Sequence, residues 1–152
     1  MTGAPDHPYI PTLYVARISP HAKLPEKAHF GDLGYDLFAA ESKSINPGKT
    51  VLVSTGIRIA FPLGFGAKIF DRSSVATKIN VFVVAGVIDE GYRGEIKIAL
   101  YNAGTHMHNV FPNDKIAQMV LLPVVNFPVV ESDEVSIKST TRGEGGFGST
   151  GK

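Results

Sequence analysis

Glycine and proline interrupt this chain so often that long helices have no room: 16 Gly and 10 Pro are spread over 152 residues. The segments between them are short and rich in Val, Ile, Phe and Tyr, residues that fit a pleated, half-buried surface. Strands are expected at Thr12–Ile18, Gly66–Phe70, Val81–Val84, Glu95–Tyr101 and Ile116–Val125. Thr50–Phe61 reads as one long strand or two, kinked at Gly56. The best helical piece is short, Ser73–Lys78. No amphipathic stretch of helical length separates the strands, so a parallel βαβ arrangement fails. The pattern predicts an all-β domain: an antiparallel sandwich, jelly roll or barrel.

The length is that of one domain, and no repeat divides it. Lys and Arg number 15 against 14 Asp and Glu, a net charge of +1, so there is no general drive toward nucleic acid or an acidic membrane. No apolar run approaches the ~20 residues that span a bilayer. Cysteine is absent, which removes disulfides, thiolate nucleophiles and cysteine metal sites and fits a reducing compartment. The opening MTGAPDHPYIPT lacks a cationic segment followed by an apolar run, so no signal peptide and a cytoplasmic location are expected. Residues 1–11, with three prolines, are expected to form a mobile arm, and 12–138 the folded domain. Residues 139–152 contain Phe147 and almost nothing else that could enter a core, so they are expected to be flexible.

That tail mimics two nucleotide-binding patterns. Gly143, Gly145 and Gly148 have dinucleotide-motif spacing, and Gly146 with Gly151 and Lys152 matches most of a phosphate loop. Both devices need a strand leading in and a helix leading out, and the chain stops at Lys152. The composition suits a flap instead: glycine amides, Arg142, Ser149 and Thr150 can donate to phosphate oxygens, and Phe147 can stack on a planar ring. Three internal segments carry further chemistry. Gly34–Ala40 (GYDLFAA) sets Asp36 in a small apolar context. Asp71–Lys78 (DRSSVATK) places a guanidinium and two hydroxyls at the start of a helical turn, suited to phosphate or simply to an ordinary helix start. Gly86–Glu95 (GVIDEGYRGE) runs apolar residues into Asp89 and brackets Tyr92 and Arg93 with glycines, a hairpin that can itself be a binding device.

LGYDLFAA, DRSSVATK, GVIDEGYRG, NDKIAQMV and RGEGGFGSTG, in this order from Leu33 to Gly151, resemble the five motifs of the trimeric deoxyuridine triphosphatases. The resemblance implies a β jelly-roll homotrimer whose active sites are shared between subunits. It also implies Mg²⁺-assisted hydrolysis of dUTP to dUMP and diphosphate. On this resemblance Asp89 orients and deprotonates the attacking water, and Tyr92 packs under the deoxyribose where a 2′-OH would need room. Backbone groups around Gly86 and Tyr92 read the uracil edge. Arg72, Ser73, Ser74 and Gln118 hold phosphates, Asp36 supports Mg²⁺ through coordinated water, and Arg142 grips the γ-phosphate. Phe147 and Gly148 belong to the stretch that covers uracil, with Ser149 and Thr150 tying the flap down; residues 139–152 thus complete an active site.

Two positions depart from the family pattern. Gly91 stands where Asp is frequent, and Asp71 where Gly or Pro is common. The nearest rival, dCTP deaminase, has a similar hairpin but needs a glutamate where this chain has Ala99; Glu95 is four residues away. A silent nucleotide sensor or capsid-like module is the reading from another class. His106 and His108 share a strand face but lack an evident third metal ligand.

Overall fold

The computed structural model describes residues 11–133 together with Thr140, Thr141 and Gly143. Among these, ten strands and one helix are found: β1 (Tyr14–Arg17), β2 (Tyr35–Phe38), β3 (Lys43–Ile45), β4 (Thr50–Ala60), β5 (Phe65–Phe70), α1 (Ser73–Ile79), β6 (Val81–Val83), β7 (Val87–Ile88), β8 (Glu95–Asn102), β9 (His108–Val110) and β10 (Lys115–Pro123). One sheet has the order β1-β4-β8-β6, a second β2-β10-β5-β7, and β3 pairs with β9 apart from both. Every pairing is antiparallel. The expected strands are present with shifts of one or two residues at their ends.

Alternation builds the core. In β8, Ile96, Ile98, Leu100 and Asn102 point inward while Lys97 stays out. Val53, Ile57 and Ile59 of β4, Leu37 of β2, Ile69 of β5 and Met119 of β10 meet them in one apolar cluster. Strand β10 also buries Ile116, Ala117 and Val120, and its pattern does not alternate cleanly, with a register shift against β2 between Lys115 and Ala117. The expected kink in β4 is a register shift between Ser54 and Arg58, with Gly56 at φ +67°. The Glu95 carboxylate accepts the Gly56 N–H released there, at 3.0 Å. The fully buried Asn102 is satisfied: its amide donates to the carbonyls of Ile45 and His106 at 2.8 Å, and its oxygen accepts from Gly104 N–H at 2.9 Å.

Helix α1 buries none of its residues and ends at Asn80, which is left-handed at φ +53°. So short a helix has little apolar face, Val75 packing partly buried against the core, and its ends do much to place it. That matters for the site, because its leading residue is Arg72.

Candidate active site

Two depressions contain the described candidate residues, and they share no lining residue. The larger, about 510 Å³, is a cleft between the β6–β7 connection, which crosses from one sheet to the other, and the outer face of β8; Gly86, Asp89, Tyr92, Glu95, Lys97 and Ala99 contribute to it. The smaller, about 300 Å³, is lined by Asp32, Gly34, Asp36, Arg72, Ser73, Ser74 and Gln118, among others.

The hairpin expected over Gly86–Glu95 is not formed, because β7 pairs with β5 and not with β8; the loop that leads into β7 is shaped by its backbone. Ala85 and Gly86 have φ of +73° and +109°, so two successive peptides turn against the ordinary preference of L-residues. A Cβ on Gly86 would also stand 3.0 Å from the Cβ of Ile69. The turned loop is tied down on its carbonyl side: Ile69 N–H donates to Gly86 O at 2.8 Å, and the Lys68 ammonium to Ala85 O at 3.1 Å. Val84 N–H donates to Ala99 O at 2.9 Å.

Beyond β7 the chain turns again, with Tyr92 N–H donating to Asp89 O at 3.0 Å. The Asp89 side chain is exposed, and among the described residues no group pairs with its carboxylate. Tyr92 folds back so that its hydroxyl donates to Glu95 O at 3.0 Å. The ring can lie there only because Gly94 has no side chain: a Cβ would fall 2.5 Å from the ring carbon Cζ. Gly91 has open space around it, so the departure at this position leaves no gap in packing.

The small depression is organised around Asp36 on β2, whose side chain is 15% exposed. One carboxylate oxygen accepts from Arg72 Nε at 3.0 Å and the other from Lys115 Nζ at 2.7 Å. Arg72 Nη1 donates in turn to the Lys115 carbonyl at 3.3 Å. The guanidinium is thereby fixed along one edge, with its remaining N–H groups available. The hydrogen bond to Asp36 raises the Lys115 pKa; partial desolvation opposes the shift, and the charges of Asp36 and Glu26 add to it. Gln118 on β10 spends one amide N–H on the Asp71 carbonyl at 2.8 Å. Ser73 and Ser74 are exposed.

The residues expected from sequence thus fall into two groups: Gly86, Asp89 and Tyr92 in the large cleft, and Asp36, Arg72, Ser73, Ser74 and Gln118 in the small one. Arg142, Phe147, Gly148, Ser149 and Thr150 lie outside the described residues. Sequence reasoning passed over Lys115, which sits inside the NDKIAQMV motif, and Lys97, whose outward place on β8 puts it in the cleft. Ala99 lines the cleft where a deaminase needs an acid, and the neighbouring Glu95 is committed to Gly56 N–H and to Lys97 at 3.6 Å. His106 pairs with the Thr105 hydroxyl at 3.0 Å, and the described residues contain no cluster of three metal-ligating side chains. No described helix is long and apolar enough to cross a membrane.

Comparison with known proteins bears on the family and the fold. A deoxyuridine 5'-triphosphate nucleotidohydrolase of Alkaliphilus metalliredigens is 50% identical over 139 residues, covering 90% of this chain and 95% of the relative. The protein of the same name from Mycobacterium tuberculosis is 42% identical over 146 residues, covering 92% and 95%. Among solved structures, the Staphylococcus bacteriophage 80alpha dUTPase with dUPNHPP superposes with a TM-score of 0.85 at 27% identity, covering 93% of this chain and 99% of that one. Its family's fold, a jelly roll of the β-clip type, is the one described above. The dUTPase family model matches residues 20–151, and the chain belongs to that family.

Proposed function

We propose that this protein is a dUTP diphosphatase that works as a homotrimer, each active site joining the large cleft of one subunit to the small depression of another. The observation that carries the reading is the unpaired Asp89 carboxylate beside Tyr92 and the Gly86 backbone, in a chain of this family. The separation of the two depressions supports the shared site, because neither alone offers both a base and a phosphate cradle.

In this reading uracil enters the slot formed by the Val84–Gly86 backbone. The carbonyls of Ala85 and Gly86 are already occupied and the Val84 N–H is spent on Ala99 O, which leaves the N–H groups of Ala85 and Gly86 to face a uracil carbonyl. A cytosine, presenting an amino group at its edge, meets the wrong partner. Deoxyribose rests on the Tyr92 ring, which leaves no space for a 2′-OH. Asp89 takes a proton from a water whose oxygen bonds to the α-phosphorus. The bond from that phosphorus to the α,β-bridging oxygen breaks, and diphosphate leaves with its electrons. Arg72, Ser73 and Ser74 hold the departing phosphates, and Gln118 keeps Arg72 in place through the Asp71 carbonyl. From the tail, Arg142 contacts the γ-phosphate, Phe147 and Gly148 cover the base, and Ser149 and Thr150 fasten the closed segment.

The donor set fits Mg²⁺ carried by the substrate. Both Asp36 oxygens already accept from cations, so Asp36 is suited to touching the ion's waters rather than to binding it directly. When bound, the ion neutralises charge on the phosphate chain. The reaction would lower the dUTP available for incorporation into DNA and supply dUMP for dTMP synthesis.

Diphosphate release from dUTP tests the reading. Asp89→Asn, nearly isosteric, is expected to bind dUTP while losing roughly 10²–10⁴-fold in turnover. Unchanged turnover in that variant, or a wild-type protein that binds dUTP without cleaving it, would remove the assignment.

A further inference from the structure

Asp71 is an odd residue to find next to Arg72. A carboxylate there weakens the positive potential on the guanidinium and gains nothing from an incoming anion. Its side chain has a partner elsewhere: the Val83 N–H donates to Asp71 Oδ1 at 2.5 Å. Val83 lies on β6, the edge strand of its sheet, and the following N–H, that of Val84, turns toward β8. The Val83 donor therefore sits on the free side of the edge, where it would otherwise face solvent or an unwanted strand. Asp71 itself follows β5 in the opposite sheet, and its carbonyl takes the Gln118 amide. One residue is thus held by both sheets at once, directly before Arg72.

We propose that Asp71 is a positioning residue: its carboxylate, bonded to the free Val83 N–H at the edge of β6, fixes the Arg72 segment and joins the phosphate cradle to the strand leading into the Gly86 loop. This rests on the reading of that cradle as the phosphate half of the site. Arg72 then has three moorings on three strands: Asp36 on β2, the Lys115 carbonyl on β10, and through Asp71 the edge of β6. The helix it leads adds little to this restraint, since none of its residues is fully buried and only Val75 packs against the core. What the staple requires is an acceptor oxygen of the right reach, not a negative charge. Asparagine keeps that oxygen and removes the charge.

The test compares wild type, Asp71→Ala and Asp71→Asn as full-length protein, with two measurements: steady-state hydrolysis of dUTP, and hydrogen exchange at the Val83 amide by NMR. Asp71→Ala is expected to raise KM about tenfold with kcat within about twofold, and to lose protection at Val83. Asp71→Asn is expected to restore both. Unchanged KM or unchanged Val83 protection in Asp71→Ala overturns the proposal, as does an asparagine variant as impaired as the alanine. Should the alanine variant not fold, Asp71→Ser, polar but one bond too short to reach Val83, takes its place. A wild-type protein that does not cleave dUTP would remove the functional reading instead, while the exchange measurement would still decide the staple.

Discussion

If the active site is shared between subunits, two inactive variants should repair one another. The perturbation is co-assembly of Asp89→Asn chains, which lack the base, with Arg72→Ala chains, which lack the phosphate-holding guanidinium. Neither change should unfold the protein: Asp89 pairs with nothing among the described residues, and removing Arg72 leaves Asp36 bonded to Lys115 at 2.7 Å. The magnitude follows from the disjoint linings of the two depressions. In an equal mixture, a site is fully intact when its cleft comes from an Arg72→Ala chain and its cradle from an Asp89→Asn chain. Random assembly makes about a quarter of the sites of that kind. Mixing and refolding, followed by measurement of diphosphate release per chain, should therefore recover about a quarter of wild-type activity from two parents with nearly none. Activity no greater than the average of the parents would place Asp89 and Arg72 of one site on the same chain and refute the reasoning.

Two further outcomes follow from local geometry. Gly94→Ala puts a Cβ against the Tyr92 ring and drives it off Glu95 O; since Tyr92 is 43% exposed, the ring swings into the cleft. Stability, read by thermal denaturation, should fall by only ~1 kcal/mol, while kcat/KM for dUTP drops roughly 10–100-fold; a normal kcat/KM would mean that Tyr92 does not shape the substrate site. The Lys115–Asp36 pair sets a pH dependence. The folded-state pKa of Lys115 lies above its ordinary 10.5, so its stabilisation is complete below the unfolded value and is lost as pH rises through the raised one. The urea midpoints of wild type and Lys115→Met should differ by a constant amount up to about pH 10 and converge above it, and a gap that widens with alkalinity would contradict the pairing.

Among the strands that sequence reading located, the long ones display a period, while β1 and β6, of four and three residues, showed only as apolar runs. β4, β8 and β10 run for 11, 8 and 9 residues, whereas β2, β3, β7 and β9 have only two to four, too few to alternate visibly. The glycine at position 56 marked the bulge because a left-handed residue inside an apolar run has few other uses. At the site, residue types and their order were legible; their partners were not. Asp36 and Lys115 are 79 positions apart, and Asp71 meets Val83 through a backbone N–H that carries no residue-specific signal. Gln118 looked like a direct phosphate donor, yet one of its N–H groups is spent on the Asp71 carbonyl. Nor can a linear motif order reveal that two groups of motif residues face different depressions of one chain.

The charges of the small depression bear on how it would treat a triphosphate. Asp32 and Asp36 line it against the single cation Arg72, Lys115 is already bonded to Asp36, and Asp71 adds a carboxylate beside Arg72. Among the described residues, then, the cradle has no surplus of positive charge, unlike a surface that captures anions by field alone. Its selectivity must come from direction: a guanidinium clamped along one edge, and hydroxyls at the head of a short helix. Directional donors discriminate between phosphate geometries, whereas a diffuse positive field attracts substrate and product alike. On the proposed function, the same neutrality would leave the remaining phosphate charge to be met from outside this depression, by a cation travelling with the substrate and by Arg142. On that proposal, a cradle built this way would grip the triphosphate only in the completed complex and have little hold on diphosphate once those cations are gone, which would favour release after cleavage.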